Sequence, residues 1–166
     1  KTQGYNSDYF YELKSKTKNV RTKLFLDICR ICYLEYQQAL EENHCIDFED
    51  MINISAELIH KRQISGEKIN YKYIIVDEYQ DISRQRYNLI KEISKICDAK
   101  IMAVGDDWQS IYAFSGSILP LFTKFCQEVG YGQELKITRT YRNAQELIDI
   151  AGTFVQKNSS QIKRGL

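Results

Sequence analysis

The chain of 166 residues is long enough for one compact domain, and its 43% hydrophobic content can bury a core without disulfides or metal. Lys plus Arg number 23 against 22 for Asp plus Glu, so no global charge draws the chain to nucleic acid and any DNA contact has to be local. Apolar runs such as Ile74–Val76 and Ile101–Val104 are too short to span a bilayer, and no charged start with an apolar signal stretch opens the chain, so a cytoplasmic protein is expected.

Residues 1–19 are polar and rich in Lys, Ser and Tyr, without helical or strand rhythm, and read as a loop. The chain starts at Lys1 without a methionine, which leads to the expectation of a segment cut from something longer. From Val20 to Glu42, Leu24, Phe25, Ile28, Cys29, Ile31, Cys32, Tyr36, Ala39 and Leu40 recur at three- and four-residue steps, the pattern of a long amphipathic helix. Five cysteines leave one unpaired in any full disulfide scheme, so free thiols are expected. Cys29 and Cys32 form a C-x-x-C within the helical pattern, but no second pair follows at zinc-ribbon spacing, and helix-face packing is the expected role. His44 and Cys45 likewise lack two further ligands nearby.

Asp47 is placed to cap a second helix with Asp50 at its third position, and Phe48, Met51, Ile52, Leu58 and Ile59 keep one face apolar until about Arg62. The rhythm then changes. Tyr73–Val76 is a continuous apolar run that ends in acids, as a strand buried on both faces does. A helix over Ser83–Cys97, a second short strand over Lys100–Val104, and a helix capped by Ser117 with Pro120 in its first turn follow. Glu134–Thr138 reads as a weaker third strand, and Asn143 with Glu146 as the capping box of a last helix. Alternating strands and helices predict an α/β fold with a parallel sheet covered on both faces.

Ligands of open parallel sheets bind beyond the carboxyl ends of the strands, which is where the chemically informative residues fall. The first strand runs into Asp77-Glu78-Tyr79-Gln80-Asp81. A solvated turn also explains acids there, but two adjacent carboxylates at a strand end suit a division of labour, one holding magnesium and the other orienting an attacking water. The second strand runs into Gly105-Asp106-Asp107-Trp108-Gln109-Ser110-Ile111-Tyr112-Ala113-Phe114. Its rings at Trp108, Tyr112 and Phe114 suit either stacking on the bases of a single strand or a loop tucked under its own aromatics. The third strand leads to Arg139, Tyr141 and Arg142 just before a helix, a place that suits an anion.

The strings Val76–Asp81, Val104–Tyr112 and Thr140–Arg142 resemble, in order and spacing, motifs II, III and IV of the UvrD/Rep-like superfamily 1 DNA helicases. Asp47–Ile52 resembles the segment before motif II, and the Trp108 string with Phe114-Ser115-Gly116 resembles most the bacterial helicase IV branch. The resemblance covers about residues 45–160. It implies a partial RecA-like domain of the P-loop NTPase type: residues 1–45 end an inserted helical subdomain, and residues 46–166 form the C-terminal part of the first motor domain. It further implies ATP hydrolysis with Mg2+, coupled to 3′ to 5′ movement on single-stranded DNA and to unwinding of duplex DNA. Position by position, Asp77 is implied as the magnesium ligand and Glu78 as the general base. Gln109 is implied as the γ-phosphate sensor, Tyr141 as the ring against adenine, and Arg142 as the charge that stabilises the transition state. Tyr112, Phe114 and Trp108 are implied on the DNA side.

Ala113 and Ser115 stand where Arg is frequent in the family, and Thr140 where Asn is usual. No G-x-x-x-x-G-K-[ST] occurs in the chain, and the late motifs of a second motor domain are also missing. The 166 residues alone are therefore expected to be inactive. The alternative is a non-catalytic helicase-like module that binds DNA or serves assembly, against which the joint presence of Glu78, Gln109 and Arg142 argues.

Overall fold

The computed structural model describes residues 6–137, 141–159 and 162. Its elements run α1 (Asp8–Lys16), α2 (Val20–Glu42), α3 (Phe48–Ile64), β1 (Tyr73–Val76), α4 (Arg84–Cys97), β2 (Lys100–Ala103), α5 (Leu119–Thr123), α6 (Phe125–Val129) and α7 (Gln145–Val155). Two compact units divide the chain, Lys1–Ile74 with Ser83–Lys100, and Ile75–Ile82 with Ile101–Leu166. Among the described residues no helix is long and apolar enough to cross a membrane.

In the first unit, α1 forms where the polar composition pointed to a loop. Contacts remote in sequence hold it: Phe10 lies against Tyr33 with ring centroids 5.8 Å apart, Arg30 sits over the Tyr11 ring at 4.9 Å, and Lys14 pairs with Asp27 at 2.6 Å. The α2 helix spans the predicted residues, and the Asn19 side chain caps it by accepting from Thr22 N–H. A capping box starts α3, Asp47 accepting from Asp50 N–H at 2.7 Å and Asp50 accepting from Asp47 N–H at 3.5 Å. The apolar stripes of both helices are largely open to solvent at Leu24, Phe25, Ile28, Phe48 and Leu58. All five cysteines are free thiols.

Helix α4 packs on α3. Ser83 caps it, Asp98 ends it in the left-handed conformation, and Tyr87 and Ile96 are buried on its inner face. Buried Gln85 donates to the Glu49 carboxylate across this contact. Glu92 receives His60 Nδ1 at 2.8 Å on one oxygen and Lys95 Nζ at 2.6 Å on the other.

Strands β1 and β2 pair in parallel as a two-stranded sheet, with Lys100 N–H donating to Lys72 C=O at 3.0 Å and Val104 N–H to Val76 C=O at 2.9 Å. Their side chains alternate between exposed and half-buried, so only one face is covered: Tyr73 is 66% and Ile75 71% exposed. This corrects the expectation of burial on both faces. The predicted third strand is also absent where it is described. Residues 134–137 have no regular structure, with Leu135 and Ile137 exposed, and Thr138 lies outside the described residues. Without a neighbouring strand the backbone groups of such a run have no ladder to join.

The core of the second unit surrounds Tyr79, whose ring meets Phe125 edge-on at 5.4 Å and Phe122 at 6.4 Å, with Leu121 and Ile82 also buried. The helix expected after Ser117 begins at Leu119, with Ile118 as its cap and Pro120 in its first turn. The predicted capping box at Asn143 does not form; α7 starts after Ala144 without a side-chain cap bond.

Burial acts to raise the pKa of the Glu92 carboxyl, but the bonds from Lys95 and His60 outweigh it and hold the group below its ordinary value. Since the folded pKa is the lower one, the stabilisation is present above the unfolded carboxylate range and disappears as pH falls through the folded value. Glu92→Gln should therefore lower stability at pH 7 by about 0.5–1 kcal/mol. In urea titrations at several pH values, the gap to wild type should close as the solution is acidified below roughly pH 4.

Candidate active site

The carboxyl ends of β1 and β2 lie side by side, because the parallel register that joins Val104 to Val76 also brings Tyr79 N–H onto Val104 C=O at 2.9 Å. The chain leaves β1 through Asp77 and Glu78 and turns at once into a single 3₁₀ turn, Tyr79–Asp81. Glu78 makes that reversal in the left-handed region, φ 50° and ψ 40°, which is uncommon for any residue with a Cβ. Its N–H donates to Asp77 Oδ1 at 2.9 Å, and Asp77 and Glu78 are both exposed at the rim.

The opposing loop leaves β2 at Gly105. A Cβ there would lie 2.5 Å from Gln80 Oε1 and 2.9 Å from Phe122 Cε2, so only glycine lets the two loops approach this closely. Asp106 folds the next turn by accepting from Trp108 N–H at 3.2 Å and from Gln109 Nε2 at 2.9 Å. Glu78, Gln80, Asp81, Gln109, Ile111 and Tyr112 line an open cleft of about 530 Å³.

The structure thus brings Glu78, Gln109 and Tyr112 to one cleft, with Asp77 next to Glu78 in the chain. Phe114 projects from a 3₁₀ turn at 86% exposure, and its ring centroid is 5.9 Å from that of Tyr112. Trp108 is half-buried and directs its Nε1–H to Ile162 C=O at 3.3 Å, while the neighbouring Asp107, fully buried, accepts from Ile162 N–H at 2.7 Å. Tyr141 and Arg142 are exposed ahead of α7 and are not among the residues lining the cleft; Arg139 and Thr140 lie outside the described residues. Two residues with no role assigned from the sequence, Gln80 and Asp106, turn out to join the loops. The signal for them was an amide two positions after an acid, with a glycine at the end of the next strand.

The model of the UvrD/REP helicase N-terminal domain matches residues 3–130. The chain belongs to the UvrD/Rep helicase family. Among its relatives in that family, DNA helicase IV of Escherichia coli K12 is 35% identical over 132 residues, which are 79% of this chain and 19% of the relative. The ATP-dependent DNA helicase srs2 of Schizosaccharomyces pombe is 31% identical over 81% of this chain and 15% of its own length. The ATP-dependent DNA helicase PcrA of Bacillus subtilis is 27% identical, with 81% and 18% covered. The chain therefore spans less than a fifth of each of these UvrD/Rep relatives.

Phe114 is too exposed for its ring to support the core. Phe114→Ala should leave thermal or urea stability within about 0.5 kcal/mol of the parent, since truncations away from buried contacts rarely cost more.

Proposed function

We propose that this chain is part of the first, RecA-like motor domain of an ATP-dependent DNA helicase that moves on single-stranded DNA, 3′ to 5′, and unwinds duplex. The observation that carries the reading is the meeting of Glu78 and Gln109 in one cleft at the adjacent carboxyl ends of two parallel strands. Membership of the UvrD/Rep family supports it, as do relatives named as ATP-dependent DNA helicases. On this reading residues 1–45 close an inserted helical subdomain and residues 46–166 belong to the motor domain proper.

The residues present suit a magnesium nucleotide. Asp77 and Glu78, exposed at the rim, and Asp106 on the adjoining loop repel a bare triphosphate and favour one bearing a divalent cation. Magnesium takes one or two carboxylates from the protein and completes its shell with phosphate oxygens and water. Asp77, with one oxygen on Glu78 N–H, offers the other to the ion. Magnesium bound there would neutralise charge gathering on the transferred phosphoryl group.

Glu78 is the general base in this mechanism. One carboxylate oxygen is held by Gln80 at 2.6 Å, and the side chain borders the cleft, where it can accept a proton from the attacking water. Gln109, fixed through Asp106, presents a neutral amide to the γ-phosphate oxygens. Arg142 supplies the positive charge that stabilises the transition state, and Tyr141 stacks on the adenine ring. Tyr112 carries the connection to Phe114, which stacks on a DNA base, with Trp108 bracing the same loop.

The complete protein carrying Glu78→Gln should bind ATP and single-stranded DNA like the parent while DNA-stimulated phosphate release falls by about 10²- to 10⁴-fold, the contribution of a general base. More than about a third of the parental rate would remove Glu78 from that role. Phe114→Ala should weaken single-strand binding, titrated at fixed salt, by about 1–3 kcal/mol. The 166-residue chain alone, lacking a G-x-x-x-x-G-K-[ST] loop, should release no phosphate above background. A complete protein that binds DNA but never hydrolyses ATP would instead mark a non-catalytic module.

A further inference from the structure

Gln80 is a side chain with two ends and a use for each. It is only 1% exposed; its Nε2 donates to Glu78 Oε2 at 2.6 Å and its Oε1 accepts from Asp106 N–H at 2.9 Å. Its backbone carbonyl accepts from Ser110 Oγ at 3.5 Å, a second tie to the same opposing loop. Asp106 passes the connection on, its Oδ2 receiving Gln109 Nε2 at 2.9 Å. A continuous chain of hydrogen bonds therefore runs from the Glu78 carboxylate through the Gln80 amide and Asp106 to the Gln109 amide.

Only a side chain that donates at one end and accepts at the other completes this chain. A carboxylate at position 80 has no donor for Glu78, and an aliphatic side chain has neither group. Gly105 is part of the same construction, because a Cβ there would fall 2.5 Å from the Oε1 that receives Asp106. The backbone of Glu78, left-handed at φ 50°, gains a constraint on its side chain two residues further on.

The geometry points to Gln80 as a positioning residue: it fixes one oxygen of Glu78, leaves the other to the cleft, and sets the distance between Glu78 and Gln109. This role rests on the reading of Glu78 as the general base. Gln80 acts through Glu78, its amide being 1% exposed and engaged at both ends within the protein. Its loss should therefore slow the chemical step without loosening nucleotide, and should cost nothing further once Glu78 has lost its basic oxygen.

The test uses the complete protein with single-stranded DNA and a double-mutant cycle. Gln80→Leu should lower kcat by about 10- to 100-fold while KM for ATP changes less than about 3-fold, and Glu78→Gln combined with Gln80→Leu should be no slower than Glu78→Gln alone. Gln80→Met keeps the side-chain length and volume without placing a charge beside Glu78, so it guards against a folding defect and should show the same fall in kcat. Gly105→Ala, which displaces the Gln80 amide, should reproduce it. A parental kcat in the Gln80 variants, or a double variant slower than Glu78→Gln by the full Gln80 factor, overturns the proposal. If the parent hydrolyses ATP and Glu78→Gln does not slow it, the reading of Glu78 fails and this role of Gln80 falls with it. If Glu78→Gln is slow and Gln80→Leu is not, only the role of Gln80 falls. The complete protein also gives a readout free of turnover: Gln80→Leu should speed hydrogen exchange of the Asp106 amide by about tenfold or more, while unchanged protection breaks the proposed connection.

Discussion

The parallel pairing of β1 and β2 is the constraint from which the site follows. Residue 104 donates to residue 76, so whatever follows each strand must emerge at the same level and on the same side. Asp77-Glu78 and Gly105-Asp106 are thereby brought together although about 28 residues separate them, the length of one strand-helix-strand crossover. The crossover helix is α4, capped at Ser83 and closed at Asp98 by a left-handed residue that returns the chain to β2. A slip of one residue in this pairing would turn Glu78 away from the cleft and bring Asp77 or Tyr79 in its place.

The two loops are then held by different means on their two sides. Towards the core, Tyr79 fills the space between Phe122 and Phe125, and this packing anchors the turn after β1 from below. Towards the cleft, a buried amide, a glycine and an aspartate make the connection through polar contacts. Such a network earns its place only if each member is satisfied, and Gln80 meets that condition at both ends. The packing gives the turn its rigidity, and the polar contacts give the carboxylate its direction.

Much of this was readable in the residues, because the strongest signals are local. The three- and four-residue steps of α2, the Asp47 and Asp50 cap of α3 and the apolar run of β1 each depend on neighbours in sequence, and each appears where the pattern put it. What eluded the pattern depends on partners elsewhere in the chain. Helix α1 has little apolar periodicity of its own and rests on Tyr33, Arg30 and Asp27 of α2. The run at Leu135 and Ile137 alternates like a strand yet meets no neighbouring strand among the described residues. At the site, the acids and Gln109 drew notice as exposed chemistry beside apolar runs, whereas Gln80 was hidden by being an ordinary amide among acids. Its significance lies in the 1% of its surface left to solvent, which no sequence spacing reports.

The left-handed backbone of Glu78 bears on how this position can change over generations. Glycine adopts φ 50° without steric cost, and asparagine nearly so, whereas glutamate has to be held there by its surroundings. Conformation and chemistry thus favour different residues at one place. A descendant with no use for the carboxylate would shed backbone strain by drifting to glycine, and β-branched replacements would be disfavoured from the outset. On the proposed reading of Glu78 as the general base, its oxygen atoms matter more at this position than the comfort of the turn.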